Sequence, residues 1–304
     1  MERFSDRLAA SILRRRSVVC VGIDPDLARL PDGLRATWAA RVGELGEAGA
    51  AAACFTDFAT GLIDALADVA ACIKPQAAFF EQYGAPGWQA LQRVVRCAHE
   101  HELPVIVDVK RADIGSTSTA YAAACFGGAP SLTGGTLPGL DADAVTVNPY
   151  LGADGLAPFV ERCDEGRGLF VLTRTSNPGG VELQERDCEG RPLYLRVADM
   201  IARLGAARVG AHGYSDVGAV AGATAPELLA AVRAALPHAF LLVPGFGAQG
   251  AGPKALAGVA SGDAAGFVVN ASRSIIYAWR ERGGDYRSAA AAAAAEMRDA
   301  IGGL

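Results

Sequence analysis

Apolar residues along the chain gather in eight short runs, each closed by polar, glycine or proline residues. The first four are 18–24 (VVCVGID), 71–76 (ACIKPQ), 104–110 (PVIVDVK) and 144–150 (AVTVNPY). The other four are 168–175 (GLFVLTRT), 217–224 (VGAVAGAT), 239–245 (AFLLVPG) and 266–272 (GFVVNAS). Most are near-continuously apolar rather than alternating, which is the pattern of parallel strands covered on both faces. Between them, stretches such as 55–69, 88–100, 116–126, 226–235 and 286–301 suit helices. The last holds an unbroken alanine run over 289–295, and alanine is the best helix former, so a closing helix is the plain reading. Eight strand–helix units predict an α/β fold, a (β/α)8 TIM barrel.

The first sixteen residues mix charged with apolar positions and finish on Arg14, Arg15 and Arg16. A signal peptide carries its charge first, so this order reads as an amphipathic N-terminal helix. Three stretches exceed a minimal barrel and read as loop insertions: 127–140 (GGAPSLTGGTLPGL), 184–191 and 205–215. No proline- or serine-rich linker divides the chain, which reads as one domain over residues 1–304.

Composition narrows the function classes. A content of 51% hydrophobic and 20% charged residues excludes a mainly disordered chain. Lys and Arg number 28 against 33 Asp and Glu, and the net charge of −5 offers no chain-wide footprint for nucleic acid or an anionic membrane. No unbroken apolar run reaches the roughly 18 residues of a membrane span. An anionic ligand would therefore need a local site. The seven cysteines are scattered with no C-x-x-C pair, which fits reduced thiols in a cytoplasmic protein. The histidines argue against a metal centre. His99 and His101 are two apart and diverge on a helix, His212 and His238 are isolated, and H-E-x-x-H is absent.

The most informative run is 105–114 (VIVDVKRADI). Alternate side chains of a strand share a face, so Asp108 and Lys110 point together at the C-terminal end of the third strand, where barrel active sites are built. Asp113 follows in the loop. A carboxylate beside an ammonium is a matched arrangement in a barrel interior, and taken alone an ordinary ion pair explains it equally well. The first and second strands, however, add Asp24 and Lys74 to the same rim. Four such charges together can hold one another and keep both lysines cationic at neutral pH.

The loops after the seventh and eighth strands carry a different signal, with VPGFGAQG over 243–250 and NASRSI over 270–275. Turns alone would explain the glycines. At this position a barrel usually binds phosphate, with Gln249 as an amide donor and Arg273 as a bidentate partner. After the fifth strand, Ser176 and Asn177 could meet the polar edge of a substrate ring or cap the next helix.

These residues resemble the orotidine 5'-phosphate decarboxylase family. The run D-V-K-R-A-D-I-G-S-T over 108–117 matches the signature D-x-K-x-x-D-I-x-x-T. Further blocks follow the family in order: VGIDP at 21–25, IKPQAAFFE at 73–81, TVNPYLG at 146–152, TSNPG at 175–179, VPGFGAQG at 243–250 and NASRSIIY at 270–277. The K-P-Q and T-S-N-P-G forms are similar to the longer bacterial subgroup often called type 2. Two positions depart from the expected pattern, Ala112 and Ser272, where glycine is common. Neither change removes a functional group.

The resemblance implies decarboxylation of orotidine 5'-monophosphate to UMP in pyrimidine nucleotide synthesis, by a homodimer without cofactor or metal. It implies that Lys110 protonates C6 of the pyrimidine. Asp108 would sit against the substrate carboxylate and hold Lys110. Asp24 and Lys74 would bind ribose hydroxyls, with Lys74 joining the charge network. Asp113 and Thr117 would reach across the dimer interface, Ser176 would contact the pyrimidine, and Gln249 and Arg273 would bind the 5'-phosphate. Two rivals remain: a magnesium-dependent sugar-phosphate decarboxylase or aldolase of the same barrel group, and a non-catalytic phosphate-binding barrel.

Overall fold

The structure, a computed structural model, describes residues 1–245, 253–256, 258–260 and 263–302. Eight parallel strands form the barrel: β1 (Val19–Ile23), β2 (Cys72–Pro75), β3 (Ile106–Arg111), β4 (Ala144–Val147), β5 (Gly168–Arg174), β6 (Ser215–Ala221), β7 (Ala239–Pro244) and β8 (Phe267–Ala271). Hydrogen-bonded neighbours run β2-β1-β8-β7-β6-β5-β4-β3. Between β3 and β2 the ring is completed by two isolated parallel bridges, Ile73 to Val105 and Gln76 to Asp108. All eight predicted runs became strands. The fourth is shorter than predicted, because the chain turns at Asn148–Pro149–Tyr150, where proline has no N–H for a ladder.

The N-terminal helix Phe4–Arg15 covers the end of the barrel where the strands begin. Its buried stripe is Phe4, Leu8, Ala9 and Ile12. Phe4 meets Phe170 of β5 edge-on at 6.0 Å between ring centres. A Cβ at Gly168 would lie 2.1 Å from the Phe4 ring, so that close approach requires glycine. Asp216 at the start of β6 accepts hydrogen bonds from Ser5 N (2.9 Å), Ser5 Oγ (2.8 Å) and Arg3 (2.8 Å).

Among the described residues, Val42–Leu66 is the helix long and apolar enough by length and composition to cross a membrane. More than half of its most apolar window is buried in the fold, which marks a core helix. The alanine-rich closing helix, Tyr286–Ile301, packs against it, and Tyr286 stacks on Phe58 at 5.0 Å. Asp285 caps that closing helix by accepting from Ser288 N at 3.0 Å. The 127–140 insertion is a surface loop as expected, with a small antiparallel pair, Ala129–Pro130 against Thr136–Leu137.

Candidate active site

The rim at the C-terminal ends of β1 to β4 is organised around one carboxylate. Asp108 is buried, and both of its oxygens are fully engaged. Oδ2 accepts from Lys74 Nζ at 2.8 Å and from Gln76 Nε2 at 3.0 Å. Oδ1 accepts from Lys110 Nζ at 2.7 Å and from Thr146 Oγ1 at 2.7 Å. Four donors from three strands and one strand end thus converge on two oxygens.

Burial by itself would raise the Asp108 carboxyl. The charges of Lys74 and Lys110, with their hydrogen bonds, overcome it and hold the group well below the usual carboxylate range. Lys74 is equally enclosed. Burial works against its charge, yet Asp108 and then Asp24 raise it above the ordinary lysine value. Asp108 and Lys74 are therefore both ionised throughout the neutral range. The two lysines differ in exposure: the Lys74 side chain is 7% exposed and that of Lys110 is 47%. One ammonium is enclosed at the barrel rim, and the other faces the mouth.

Strand alternation was expected to aim Asp108 and Lys110 together. They do converge, but through a different local geometry. Lys110 has φ +46°, in the left-handed region, and the β3–β4 register slips between Val107 and Arg111. The irregularity lets Lys110 N donate to Thr146 Oγ1 at 3.1 Å while its side chain turns back to Asp108. A non-glycine residue held at positive φ costs energy that the surrounding contacts must offset, and such positions cluster at functional sites.

Asp24 stands apart from that cluster and influences Lys74 only through space. Its Oδ2 accepts from Ser272 Oγ at 2.6 Å, and its Oδ1 is buried without a partner among the described residues. Its backbone is pinned as well, because Tyr277 Oη donates to Asp24 O at 2.9 Å and accepts from Asp26 N at 2.8 Å. A buried carboxylate oxygen with no donor is costly unless a ligand supplies one.

Asp113 and Thr117 lie further out. Asp113 Oδ1 accepts from Ile114 N at 2.8 Å, opening the helix Gly115–Phe126, and Thr117 is exposed on that helix. Among the described residues no hydrogen bond or ion pair joins either of them to the Asp108 cluster. Arg273 is exposed at the start of the short helix Arg273–Ile276 and borders an open hollow of about 1010 Å³ together with Arg29, Tyr277 and Arg280. Ser176 sits against the end of β6, where a Cβ on Gly222 would come within 2.9 Å of its backbone. Neither Ser176 nor Asn177 caps the helix Gly180–Leu183, so of the two readings the capping one does not hold. Gln249 lies outside the described residues.

Three participants were not singled out from the sequence as functional: Gln76, Thr146 and Tyr277. The signal was present, since Gln76 and Thr146 lie at strand ends within the blocks 73–81 and 146–152. What was missing was the pairing of strands that brings them to one oxygen.

A profile of the Orotidine 5'-phosphate decarboxylase / HUMPS family matches residues 17–283. A Rhodopirellula baltica protein named orotidine 5'-phosphate decarboxylase is 48% identical over 279 residues, covering 91% of this chain and 89% of that protein. One of the same name from Roseiflexus castenholzii is 42% identical, covering 98% and 97%. The solved structure of Leishmania donovani OMP decarboxylase superposes with a TM-score of 0.73 at 33% identity, covering 98% of this chain and 97% of that one. The chain belongs to the orotidine 5'-phosphate decarboxylase / HUMPS family.

Proposed function

We propose that this protein decarboxylates orotidine 5'-monophosphate to UMP and CO2 in pyrimidine nucleotide synthesis, in the cytoplasm, as a homodimer and with no cofactor or metal. The observation that carries the reading is the Asp108 carboxylate, held ionised between a buried ammonium and one at the mouth. Because donors occupy both oxygens, that carboxylate has no open side to offer a magnesium ion, which disfavours the sugar-phosphate alternative.

In the reaction the C6–carboxylate bond breaks and its electron pair stays on C6. Lys110 then delivers a proton from Nζ to that carbon and is reprotonated by water. Asp108 sits beside the departing carboxylate and keeps Lys110 in place. Lys74 holds Asp108 and, with Asp24 Oδ1, receives the ribose hydroxyls. Ser176 meets the pyrimidine edge, and Gln249 and Arg273 take the 5'-phosphate. Asp113 and Thr117 act in the partner's site. Half-buried Asp113 and exposed Thr117 lie on the same stretch as exposed Ile114, and Tyr150 and Leu151 are also exposed, which suits a face covered by a second copy.

Magnitudes show why a network is needed. The developing charge on C6 has no direct π sink, and matching the stronger known enzymes takes on the order of 20 kcal/mol. One ammonium about 4 Å away contributes about 4 kcal/mol at an effective dielectric of 20. The balance must come from charges fixed before the substrate arrives, and from phosphate binding that favours the reactive complex.

The test is loss of orotidine 5'-monophosphate absorbance in EDTA, comparing the wild type with Lys110→Ala. Turnover that survives the chelator and collapses in the variant is expected. A folded wild type with no turnover, or one silenced by EDTA, overturns the reading in favour of the magnesium-dependent chemistry.

A further inference from the structure

At the opposite end of the barrel from the rim, three different donor types meet between two helices. Asp64 lies near the end of Val42–Leu66, Cys97 lies in the last turn of Gly84–Glu100, and His101 follows it directly. One ligand atom from each, a carboxylate oxygen, a thiol sulfur and an imidazole nitrogen, lies within 4.8 Å of the other two. Cys97 and His101 are four apart, the spacing that puts two side chains on one helix face. Asp64 reaches across from the neighbouring helix, with Oδ1 2.8 Å from His101 Nε2.

The two helix ends are also fixed independently of any ligand. Arg15 donates to Ala67 O (2.6 Å), His101 O (3.0 Å) and Ser11 Oγ (2.9 Å). Its guanidinium thereby ties the C-terminal ends of both helices to the N-terminal helix, so the donors are held by backbone that is already anchored.

We infer that Asp64, Cys97 and His101 form a binding site for a borderline transition-metal dication of the zinc class. Oxygen, nitrogen and sulfur donors together select such an ion over magnesium or calcium, which prefer oxygen alone. With bonds of about 2.0–2.3 Å, donors around a tetrahedral ion stand roughly 3.3–3.8 Å apart. The Asp64–His101 contact must open slightly and the sulfur move inward, which side-chain rotation at this half-exposed place permits. Binding displaces the thiol proton to water, and a water completes the fourth position. The carboxylate and thiolate balance the ion's charge. The site is independent of the decarboxylation chemistry at the rim.

Titration of the full-length, metal-stripped protein with Co²⁺ tests the assignment. One equivalent should produce a thiolate-to-cobalt charge-transfer band in the near ultraviolet, reversed by Zn²⁺. Cys97→Ser should abolish the band, and His101→Gln should weaken Zn²⁺ binding by calorimetry on the order of a hundredfold, both with unchanged melting temperature of the metal-free protein and unchanged decarboxylation. Absence of a band at stoichiometric Co²⁺, or a band that persists in Cys97→Ser, overturns the site. Asp64→Asn, an exposed change that leaves both helices intact, gives a second reading, since Zn²⁺ affinity unaffected by it also counts against the assignment.

Discussion

Lys74 and Asp108 form a buried ion pair, Nζ to Oδ2 at 2.8 Å, across the one seam of the barrel that backbone pairing closes with only two isolated bridges. The same contact that orders the rim therefore also ties β2 to β3. Removing one partner of such a pair leaves the other charged and enclosed, which costs more than the pair itself contributes.

Asp108→Asn should accordingly abolish decarboxylation and lower stability by about 3–5 kcal/mol. Asp108 is depressed when folded, so its contribution is present above the unfolded value near 4 and is lost only as pH falls through the much lower folded one. Lys74 is raised, so its contribution is present below roughly 10.4 and is lost as pH rises through a still higher value. Chemical denaturation of wild type and variant should show a constant stability gap across pH 5 to 9. A gap that varies strongly within that range would contradict the assignment.

Ser272→Ala removes the only hydrogen bond that Asp24 Oδ2 receives among the described residues. If Asp24 serves the ribose, KM for orotidine 5'-monophosphate should rise about tenfold, the equivalent of roughly 1.4 kcal/mol, with kcat little changed. Steady-state kinetics separate this from a general loss of structure, which would lower the active fraction and leave KM alone.

Sharing of Asp113 across a dimer can be read from mixed protomers. Asp113→Ala and Lys110→Ala proteins should each be nearly inactive. Refolded together in equal amounts, half the dimers carry one intact site, and about a quarter of wild-type activity should return by symmetry. No recovery, in a mixture shown to contain heterodimers, would mean that Asp113 acts within its own chain.

At the opposite end of the barrel, His99 Nε2 lies 2.9 Å from Asp143 Oδ2, and Arg7 lies 2.7 Å from the other oxygen. The hydrogen bond to Asp143 raises His99 despite partial burial. A raised histidine contributes stability that is complete below about 6.5 and is lost as pH rises through the folded value. His99→Gln should therefore cost about 1.5 kcal/mol at pH 5.5 and progressively less at alkaline pH, read from urea midpoints. An equal cost at pH 5.5 and pH 9 would show that packing, not charge, accounts for the effect.

The sequence by itself determined the barrel, the family and the charged residues that reach its rim. Runs such as 217–221 and 239–243 are apolar on both faces, and that local pattern admits little besides a covered parallel strand. Lys74, Asp108 and Lys110 were legible because a charge at the end of such a run has to be matched or functional. The tertiary structure alone decided which groups satisfy which. Thr146 reaches Asp108 from 38 positions away, and Ser272 reaches Asp24 from 248. The left-handed turn at Lys110 depends on a register slip against β4, and Asp64 joins Cys97 and His101 only because two helices pack side by side. Periodicity reports the face a residue presents over a few neighbours. Closing the ring sets registers between strands far apart in the chain, and those registers choose the partners.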